Sequence, residues 1–468
     1  MNPSALLAGI AAQWDADIVP QLTDYVRIPA RSPHFDLQWE KNGHIERVVR
    51  LAEAWVRKQP VHDLRYEIVR LPGRTPLLYF DIPGTGDRTV LLYGHLDKQP
   101  EMTGWREGYG AWEPLLEDGK LYGRGGADDG YAVFAALSAI GSLQAQGVAH
   151  ARCVGMIETC EESGSYDLPA YLEALAPRIG NVDFVIGLDS GCGDYKRMWA
   201  TTSLRGLAGG VLRVEVLTEG VHSGDASGVV PSSFRIARRL LDRLEDSATG
   251  RILPAELHAE IPPERAEQAA RAAEMLGGIV TAKYPFAGAT QPMVADRTQA
   301  LLNRTWRPAL SVTGADGLTP IADAGNVLRP QTALKLSLRL PPTVDAAMAV
   351  RTMKQLLESD PPHGAKVAFE VEEGATGWSA PPEAAWLTQA VNDASLAFYG
   401  KPACAMGEGG TIPFMAMLGR HFPQAQFLIT GVLGPHSNAH GPNEFLHVSY
   451  AKKLTACVAA TIAAHARR

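Results

Sequence analysis

The sequence predicts an α/β domain built on a largely parallel sheet and interrupted by an inserted α+β domain. Over residues 1–204, short apolar runs bounded by glycine or proline alternate with amphipathic segments, as strands alternating with helices do. After Arg205 the strands instead alternate apolar with charged residues, which is typical of a sheet with one buried face. The first pattern resumes near Ala380. We therefore expect one domain over residues 1–204 and 378–468, and a second over 205–377.

Apolar spacing predicts the individual elements. Apolar residues that recur every three or four positions predict helices over residues 5–27, 44–58, 130–146, 231–246, 262–276, 344–358 and 449–466. Short apolar runs predict strands over residues 77–82, 90–93, 154–157, 184–188, 366–372 and 427–432. In the segment 332–340, leucines at every second position alternate with polar residues, which predicts a strand with one buried face.

The composition argues against several classes of protein. A net charge of −7, with no basic cluster interleaved with aromatics, argues against a nucleic-acid partner. We find no apolar stretch of about twenty residues that would predict a transmembrane helix, and no secretion-signal pattern. The five cysteines lack Cys-x-x-Cys spacing, so neither a disulfide framework nor a thiolate zinc site is expected. We therefore expect a cytoplasmic protein without membrane or nucleic-acid partners.

A histidine and an aspartate follow one predicted strand. His95-Leu96-Asp97 comes just after the apolar run 90–93. Residues two apart in an extended chain point to the same side, so the imidazole and the carboxylate project together. This arrangement suits a histidine metal ligand whose other ring nitrogen is oriented by the aspartate. A His-x-Asp triplet alone is also common by chance.

A glycine-dense loop, Gly123 to Gly130, contains Asp128 and Asp129 and leads into a predicted helix. Glycines allow the backbone to turn tightly beside a site. A phosphate-binding loop is disfavoured, because two aspartates would repel phosphate and the P-loop Lys-Ser/Thr is absent. Both metal binding and a simple acidic helix cap remain open for this loop.

Three glutamates, Glu158, Glu161 and Glu162, surround the end of the apolar run 154–157. On such a loop one carboxylate could bind a metal ion while another activates water. A solvated acidic loop would explain the same cluster equally well.

Asp189 follows the apolar run 184–188, and His440 opens the segment His440 to Glu444. Alone, a loop histidine carries little information. Together, two histidines and several carboxylates at strand ends match the nitrogen and oxygen ligands of two divalent cations that share one bridging carboxylate.

In their order and separation, these motifs resemble those of a family of two-zinc metallopeptidases. This family includes cytosolic non-specific dipeptidase, carnosinase, carboxypeptidase G, aminoacylase, acetylornithine deacetylase and succinyl-diaminopimelate desuccinylase. The resemblance runs nearly end to end through Gly94-His95-Leu96-Asp97, Gly123 to Asp129, Glu161-Glu162-Ser163-Gly164-Ser165, Asp189, and His440 to Glu444. It implies a zinc-exopeptidase-like α/β/α catalytic domain with an inserted α+β domain that serves as lid and dimerisation domain.

The resemblance also implies a metal centre. His95 and Asp189 would bind one metal ion, Glu162 and His440 the other, and Asp128 would bridge both. Two divalent metal ions per subunit are implied, with zinc as the first choice and manganese or cobalt as alternatives.

The catalytic roles implied by the resemblance fall on two carboxylates. Asp97 would orient His95, and Glu161 would act as the general base on a metal-bridged water and return the proton to the leaving amine. The implied activity is hydrolysis of dipeptides or short peptides with a free C-terminal carboxylate.

Further residues match the family's substrate-binding motifs. His222 matches a histidine that, in dimeric members, reaches the partner subunit's active site and stabilises the oxyanion there. Asn326 matches a residue that helps this histidine. Arg339 matches an arginine that binds the substrate carboxylate, an anion that guanidinium suits well. Gly409, Gly410 and Thr411 belong to a loop that holds the same carboxylate. These matches imply a homodimer, although His222 and Arg339 alone would pass for an exposed turn histidine and an edge-strand charge.

Two alternatives remain at this point. An N-acyl or N-carbamoyl amino-acid amidohydrolase of the aminoacylase or deacetylase type would use the same metals and Arg339. A non-catalytic protein on the same fold would lack Glu161 or a metal ligand, and all are present. One departure from the dipeptidase pattern is Gly130-Tyr131, which stands where Lys-Gly is usual and affects the expected edge of the pocket.

Overall fold

The computed structural model describes residues 1–468 apart from the side chain of Pro413. The chain divides into two compact units. The first unit comprises Met1–Thr202, Ala380–Met406 and Pro413–Arg468, and the second comprises Ser203–Ser379 and Gly407–Ile412. The short segment Gly407–Ile412, which we expected in the first domain, groups with the second unit because the Gly409 carbonyl accepts a hydrogen bond from Arg205 Nε at 3.2 Å.

The α-helices are α1 Pro3–Gln13, α2 Val19–Val26, α3 Trp39–Asn42, α4 His44–Val56, α5 Ala132–Ala145, α6 Leu168–Ile179, α7 Ser223–Ala226, α8 Ser233–Leu241, α9 Pro263–Leu276, α10 Ile279–Ala282, α11 Arg297–Thr305, α12 Ala346–Glu358, α13 Ala385–Tyr399, α14 Pro413–His421 and α15 Val448–Ala466. The strands are β1 Arg65–Val69, β2 Leu77–Ile82, β3 Thr89–His95, β4 Leu115–Glu117, β5 Lys120–Tyr122, β6 Arg152–Glu158, β7 Phe184–Gly187, β8 Trp199–Leu204, β9 Gly206–Glu215, β10 Val221–His222, β11 Glu245–Asp246, β12 Arg251–Ile252, β13 Ala309–Asp316, β14 Val327–Leu328, β15 Gln331–Leu340, β16 Lys366–Val371, β17 Trp378–Ser379, β18 Cys404–Glu408, β19 Gln426–Ile429 and β20 Phe445–His447.

A six-stranded sheet of order β1-β2-β6-β3-β7-β19 forms the centre of the first unit. β3 pairs in parallel with β6 and β7, and β19 pairs in parallel with β7. β1 and β2 are antiparallel. The few residues that connect them cannot form the long crossover that parallel neighbours need. The predicted α/β class is confirmed, and the parallel part of the sheet consists of the four strands β6, β3, β7 and β19.

Strand β3 is buried along its whole length, and α5 packs on it. The contact is close at Gly94, where a Cβ atom would lie 2.4 Å from the Cβ of Ala132. Burial on this scale explains why the strand has an apolar run rather than the alternation of a half-exposed strand.

An antiparallel sheet of order β13-β15-β9-β16 forms the centre of the second unit. Helices α8 and α12 pack against it and cover the leucine face of β15. Leu336 and Leu338 on that face are buried, whereas Lys335 on the other face is exposed. The predicted one-faced strand is therefore confirmed.

Two predicted helices have different bounds from those expected. The helix expected over 231–246 ends at Leu241, because Glu245–Asp246 instead pairs with Arg251–Ile252 as a short hairpin. The helix expected over 5–27 consists of α1 and α2 joined by a π-helical turn at Trp14–Ile18. Among the described residues, no helix combines the length and apolar character that crossing a membrane requires.

Candidate metal centre

The carboxyl ends of neighbouring parallel strands bring the predicted ligands to one edge of the central sheet. His95 is the last residue of β3, and it pairs with Glu158 at the end of β6. Glu161 lies in a 3₁₀ turn just after β6, and Asp189 follows β7. Because β6, β3 and β7 are adjacent, their terminal side chains converge.

His95 is fully buried, and its two ring nitrogens have different surroundings. Nδ1 lies 3.1 Å from the backbone carbonyl oxygen of Asp97. A carbonyl oxygen can only accept, so Nδ1 carries a proton, which leaves Nε2 as the ring nitrogen available to a metal ion. Nε2 is buried without a hydrogen-bond partner among the described residues. It lies 3.5 Å from Asp128 Oδ1 and 3.7 Å from Asp189 Oδ2, which suits a nitrogen ligand to a cation held with these carboxylates.

The carboxylate of Asp97 anchors the turn that carries the two glutamates. Its Oδ1 and Oδ2 accept hydrogen bonds from the backbone N–H groups of Glu161 and Glu162, at 3.1 and 3.0 Å. Oδ1 also lies 3.4 Å from His95 Nδ1. Asp97 therefore contacts His95 as expected, but it also holds both glutamates in place, a function that sequence analysis missed.

Asp128 lies between the two histidines. Its Oδ1 lies 3.5 Å from His95 Nε2, and its Oδ2 lies 3.0 Å from His440 Nε2. Burial raises the pKa of Asp128, but the hydrogen bonds from His440 and His95 outweigh burial and lower it. A carboxylate that presents one oxygen to each of two imidazoles has the arrangement that a bridging ligand needs.

The potential ligand atoms form two groups that share Asp128. Within each group, all the potential ligand atoms lie within 4.8 Å of one another. The two groups are His95, Asp128 and Asp189, and Asp128, Glu162 and His440. Imidazole nitrogens and carboxylate oxygens together are the donors that zinc and similar divalent cations take, so the residues fit two such ions.

The carboxylates of this centre are buried close together, so positive charge beside them is favourable. Burial is the main cause that raises the pKa of Glu162 to about 8 and that of Asp189 to about 7. Burial, followed by the charge of Asp189, also raises the pKa of Glu161, whose Oε2 lies 4.0 Å from His95 Nε2. A cluster of buried carboxylates with raised pKa values is stabilised by bound cations.

Two buried residues, Arg124 and Glu444, fix the loops that carry Asp128 and His440. Glu444 accepts a hydrogen bond from the backbone N–H of Gly125 at 2.8 Å and forms an ion pair with Arg124. Arg124 Nη2 also donates to the Gly441 carbonyl at 2.9 Å. Both residues lie within motifs found in the sequence, but only the folded structure shows that they contact each other.

The pair Gly130-Tyr131 has a structural explanation. A Cβ atom on Gly130 would lie 2.2 Å from the ring of Tyr25, so only glycine fits there. The buried Tyr131 hydroxyl donates to the carbonyl of Leu188 at 2.5 Å. Tyr131 therefore holds the residue just before Asp189, and sequence analysis missed this contact.

The predicted substrate-binding residues lie in the second unit and form two groups. His222 in β10 is exposed and pairs with Val327 in β14, beside Asn326. In the other group, Arg339 Nη1 donates to Thr411 Oγ1 at 3.1 Å. The Thr411 hydroxyl donates in turn to the Arg205 carbonyl at 2.7 Å. Arg205 also holds the Gly409 carbonyl, so it fixes the loop at two points, and sequence analysis missed it.

Comparison with known proteins identifies related sequences. Residues 91–464 match the model of the family described as peptidase family M20/M25/M40. The chain is 28% identical over 378 residues to the Cysteinylglycine-S-conjugate dipeptidase of Corynebacterium striatum, covering 78% of this chain and 79% of that one. It is 27% identical over 275 residues to the human Beta-Ala-His dipeptidase, covering 58% of this chain and 53% of that one.

Solved structures share the fold. The dipeptidase Dug1p from Saccharomyces cerevisiae superposes with a TM-score of 0.78 at 21% identity, over 100% of this chain and 99% of that one. Human carnosine dipeptidase 1 superposes with a TM-score of 0.76 at 20% identity, again over 100% and 99% of the two chains. The family model covers well over half of the sequence, and so the chain belongs to peptidase family M20/M25/M40 and is a metal-dependent peptidase.

Proposed function

We propose that the chain is a dinuclear metallodipeptidase that hydrolyses dipeptides or short peptides with a free C-terminal carboxylate. The observation that carries the proposal is the position of Asp128, whose two oxygens face His95 and His440 within two overlapping ligand groups. Relatives named as dipeptidases in bacteria and in humans support the substrate class.

In this proposal the residues of the chain divide the work. His95 and Asp189 would hold one ion, Glu162 and His440 would hold the other, and Asp128 belongs to both ligand groups. When bound, two divalent cations polarise the scissile carbonyl and increase the acidity of water. Glu161 takes the proton from the attacking water and delivers it to the leaving amine. Glu161 Oε2 lies 4.0 Å from His95 Nε2, so its carboxylate is beside the proposed ligands, where such a base must be.

The second unit supplies substrate-binding groups in the proposal. Arg339 and the loop of Gly409, Gly410 and Thr411 bind the free carboxylate of the substrate. His222 and Asn326 stabilise the oxyanion in the active site of the other subunit, so the active form is a homodimer. The exposure of His222 supports this role, because a side chain that serves another subunit must be accessible.

Zinc is the metal that we propose first. The ligand set contains nitrogen and oxygen donors only, which zinc accepts and which manganese or cobalt would also accept. We also propose a cytoplasmic location, since all five cysteines are free and buried, as expected in a reducing compartment.

A substrate panel tests the function. Purified protein loaded with zinc or manganese is assayed against Cys-Gly and β-Ala-His dipeptides and against N-acetyl and N-carbamoyl amino acids. We expect dipeptides to be hydrolysed with a kcat/KM at least about a hundredfold above that of the N-blocked amino acids. The reverse preference would instead support the amidohydrolase alternative, which the named relatives do not favour.

The general base is tested by Glu161→Gln. We expect kcat to fall at least about a hundredfold, because proton transfer by a positioned side chain contributes that much or more, while two metal ions per chain remain bound. Metal analysis and steady-state kinetics measure both quantities. The control is Glu173→Gln, an exposed glutamate on α6. Activity of Glu161→Gln close to that of the control would disprove the assignment.

A further inference from the structure

A cavity of about 730 Å³ lies within the second unit, and no residue of the metal centre lines it. Its walls come from β12, α10, α11 and the segment 284–294. The volume falls within the range of about 300–1,000 Å³ that is typical of small-molecule sites. The cavity is therefore large enough for a ligand the size of an amino acid or somewhat larger.

Much of the wall is apolar and aromatic. Tyr284, Phe286 and Met293 line the cavity, together with the buried side chains of Val280 and Leu301. Tyr284 is 44% exposed and Phe286 is 43% exposed, so both rings have free surface. Aromatic and sulfur-containing side chains pack favourably on a flat or branched apolar ligand.

The charged residues of the wall all have the same sign. Arg205, Arg251, Arg304 and Arg307 line the cavity, and among its described lining residues there is no aspartate or glutamate. This is unexpected in a chain whose net charge is −7. A concave site lined by one sign of charge attracts ligands of the opposite sign.

Two of these arginines donate to neutral groups. Arg205 donates to the carbonyls of Gly409 and Asn303, at 3.2 and 3.3 Å. Arg307 donates to the side-chain oxygens of Asn303 and Gln299, at 2.6 and 2.7 Å. Neither forms an ion pair with a carboxylate of the described residues, and their recorded partners are neutral oxygens. Their positive charges are thus solvated by dipoles but not balanced by a negative charge.

Arg205 shows the cost of this arrangement. It is only 9% exposed. Burial, with further contributions from Arg339 and Arg304, lowers the pKa of Arg205 to about 10. A buried charge is stabilised when an opposite charge with hydrogen-bonding capacity is brought to it. An anion in the cavity would supply that charge.

We propose that this cavity is a second ligand site, which binds a small organic anion with one carboxylate on an aromatic or branched apolar body. The arginines bind the carboxylate, and the aromatic wall binds the body. Because the described lining has no acid to receive an ammonium group, zwitterionic amino acids and dipeptides bind poorly. The ligand thus differs from the proposed peptide substrate. No proposed metal ligand lines the site, although Arg205 links the cavity to the loop proposed to bind the substrate carboxylate.

Calorimetric titration of the metal-loaded protein with both units present tests the proposal. The anionic probe is 3-phenylpropionate, and its neutral counterpart is 3-phenylpropanamide. We expect one binding event per chain for the carboxylate and at least about tenfold weaker binding of the amide, because a charge-assisted hydrogen bond is lost. Equal affinity for both probes would overturn the proposal.

Three variants locate the binding event. Ala300→Phe fills the cavity from α11, and Arg307→Gln removes a charge without filling it, so that both should weaken binding of the carboxylate at least about tenfold. The control Arg271→Gln removes an exposed arginine of α9, which does not line the cavity, and should bind normally. Thermal melting verifies that each variant is folded, and Arg307→Gln provides the test if Ala300→Phe is not.

Two results would contradict the proposal. The first would show that the probe binds elsewhere, and the second that the cavity is part of an interface between two chains. Binding that survives in Ala300→Phe and Arg307→Gln but is lost in Arg339→Gln would place the probe at the carboxylate loop and overturn the proposal. Dissociation of a dimer by Ala300→Phe, measured by sedimentation, would show that a second copy of the chain covers the cavity, which also overturns it.

Discussion

At the scale of single residues, the ion pair of Arg124 and Glu444 connects the loop of Asp128 to the loop of His440. Arg124 is 1% exposed and Glu444 is fully buried. Burial raises the pKa of Glu444 to about 7 even though Arg124 acts to lower it. Removing one partner of such a pair leaves a buried charge without compensation, which costs about 3–5 kcal/mol.

We therefore predict that Arg124→Met lowers the free energy of unfolding by about 3–5 kcal/mol at pH 8. The pKa of Glu444 is raised to about 7 in the folded state, so the folded chain holds this proton more tightly than the unfolded chain. Stability therefore falls as pH rises from the ordinary pKa of a glutamate towards about 7. The loss caused by the substitution should thus be smaller at pH 5, where Glu444 is protonated. Urea denaturation of both proteins with EDTA present measures the difference.

The double variant Arg124→Met with Glu444→Gln is the control for this interpretation. Glutamine keeps an acceptor for the N–H of Gly125 but has no charge. We expect the double variant to be more stable than Arg124→Met alone at pH 8. A double variant that is less stable than the single one would contradict the ion-pair explanation.

At the scale of the elements, the metal centre depends on how closely β3 approaches the turn that carries Asp128. A Cβ atom on Gly94 would lie 2.4 Å from the Cβ of Ala132 and 2.8 Å from Asp129 Oδ2. Asp129 Oδ2 also accepts the backbone N–H of His95, at 3.3 Å. Gly94 thus lets β3 approach the turn closely, so that His95 on the strand and Asp128 on the turn can face the same site.

We predict that Gly94→Ala costs about 1–3 kcal/mol through overpacking and weakens metal binding at least about tenfold, because a small displacement spoils ligand geometry. Competition with a chelator measures the affinity. Gly9→Ala in α1 is the matched control, since nothing lies within 4 Å of its Cβ. It should leave metal affinity unchanged and stabilise the helix by about 0.5–1 kcal/mol. Equal metal affinity in the two variants would refute the steric argument.

The elements also show what sequence analysis could and could not predict. The positions of His95 and Asp189 at strand ends were predictable, because a buried strand gives a clear apolar run and its carboxyl end is a known place for ligands. His440 was not predictable from local pattern. It lies in a loop where His436, Asn438 and His440 all have positive φ, and no periodicity describes such a loop. It became a candidate ligand only as part of the whole set of histidines and carboxylates, and the family resemblance suggested its specific role.

Elements with mixed patterns were missed for physical reasons. Strand β1 is a half-exposed edge strand that contains Arg65 and Glu67, so its apolar signal is weak. Helix α6 contains Pro177, which is a usual sign of a helix end. Helix α13 has no such explanation, because Leu387, Val391, Ala394 and Phe398 recur at helical spacing and are buried, so its pattern was present in the sequence and was overlooked.

At the scale of the whole molecule, the two compact units carry different groups. The first unit holds Glu161 and the proposed metal ligands, whereas the second holds His222, Asn326 and Arg339. If the second unit of one chain serves the active site of another chain, inactive variants of the two units should compensate each other when they are mixed. A chain that supplied its own His222 could show no such effect.

We predict that Glu161→Gln and His222→Ala, each nearly inactive as a homodimer, regain activity when they are mixed and allowed to exchange subunits. In the mixed dimer, one site contains an intact Glu161 and receives His222 from the partner subunit. With random exchange, half of the dimers are mixed and each has one working site, so about a quarter of the wild-type activity should return. Mixing Glu161→Gln with Glu161→Gln/His222→Ala provides no intact site and is the control. Activity that stays at the level of the separate variants, although sedimentation shows mixed dimers, would mean that each chain uses its own His222 or none.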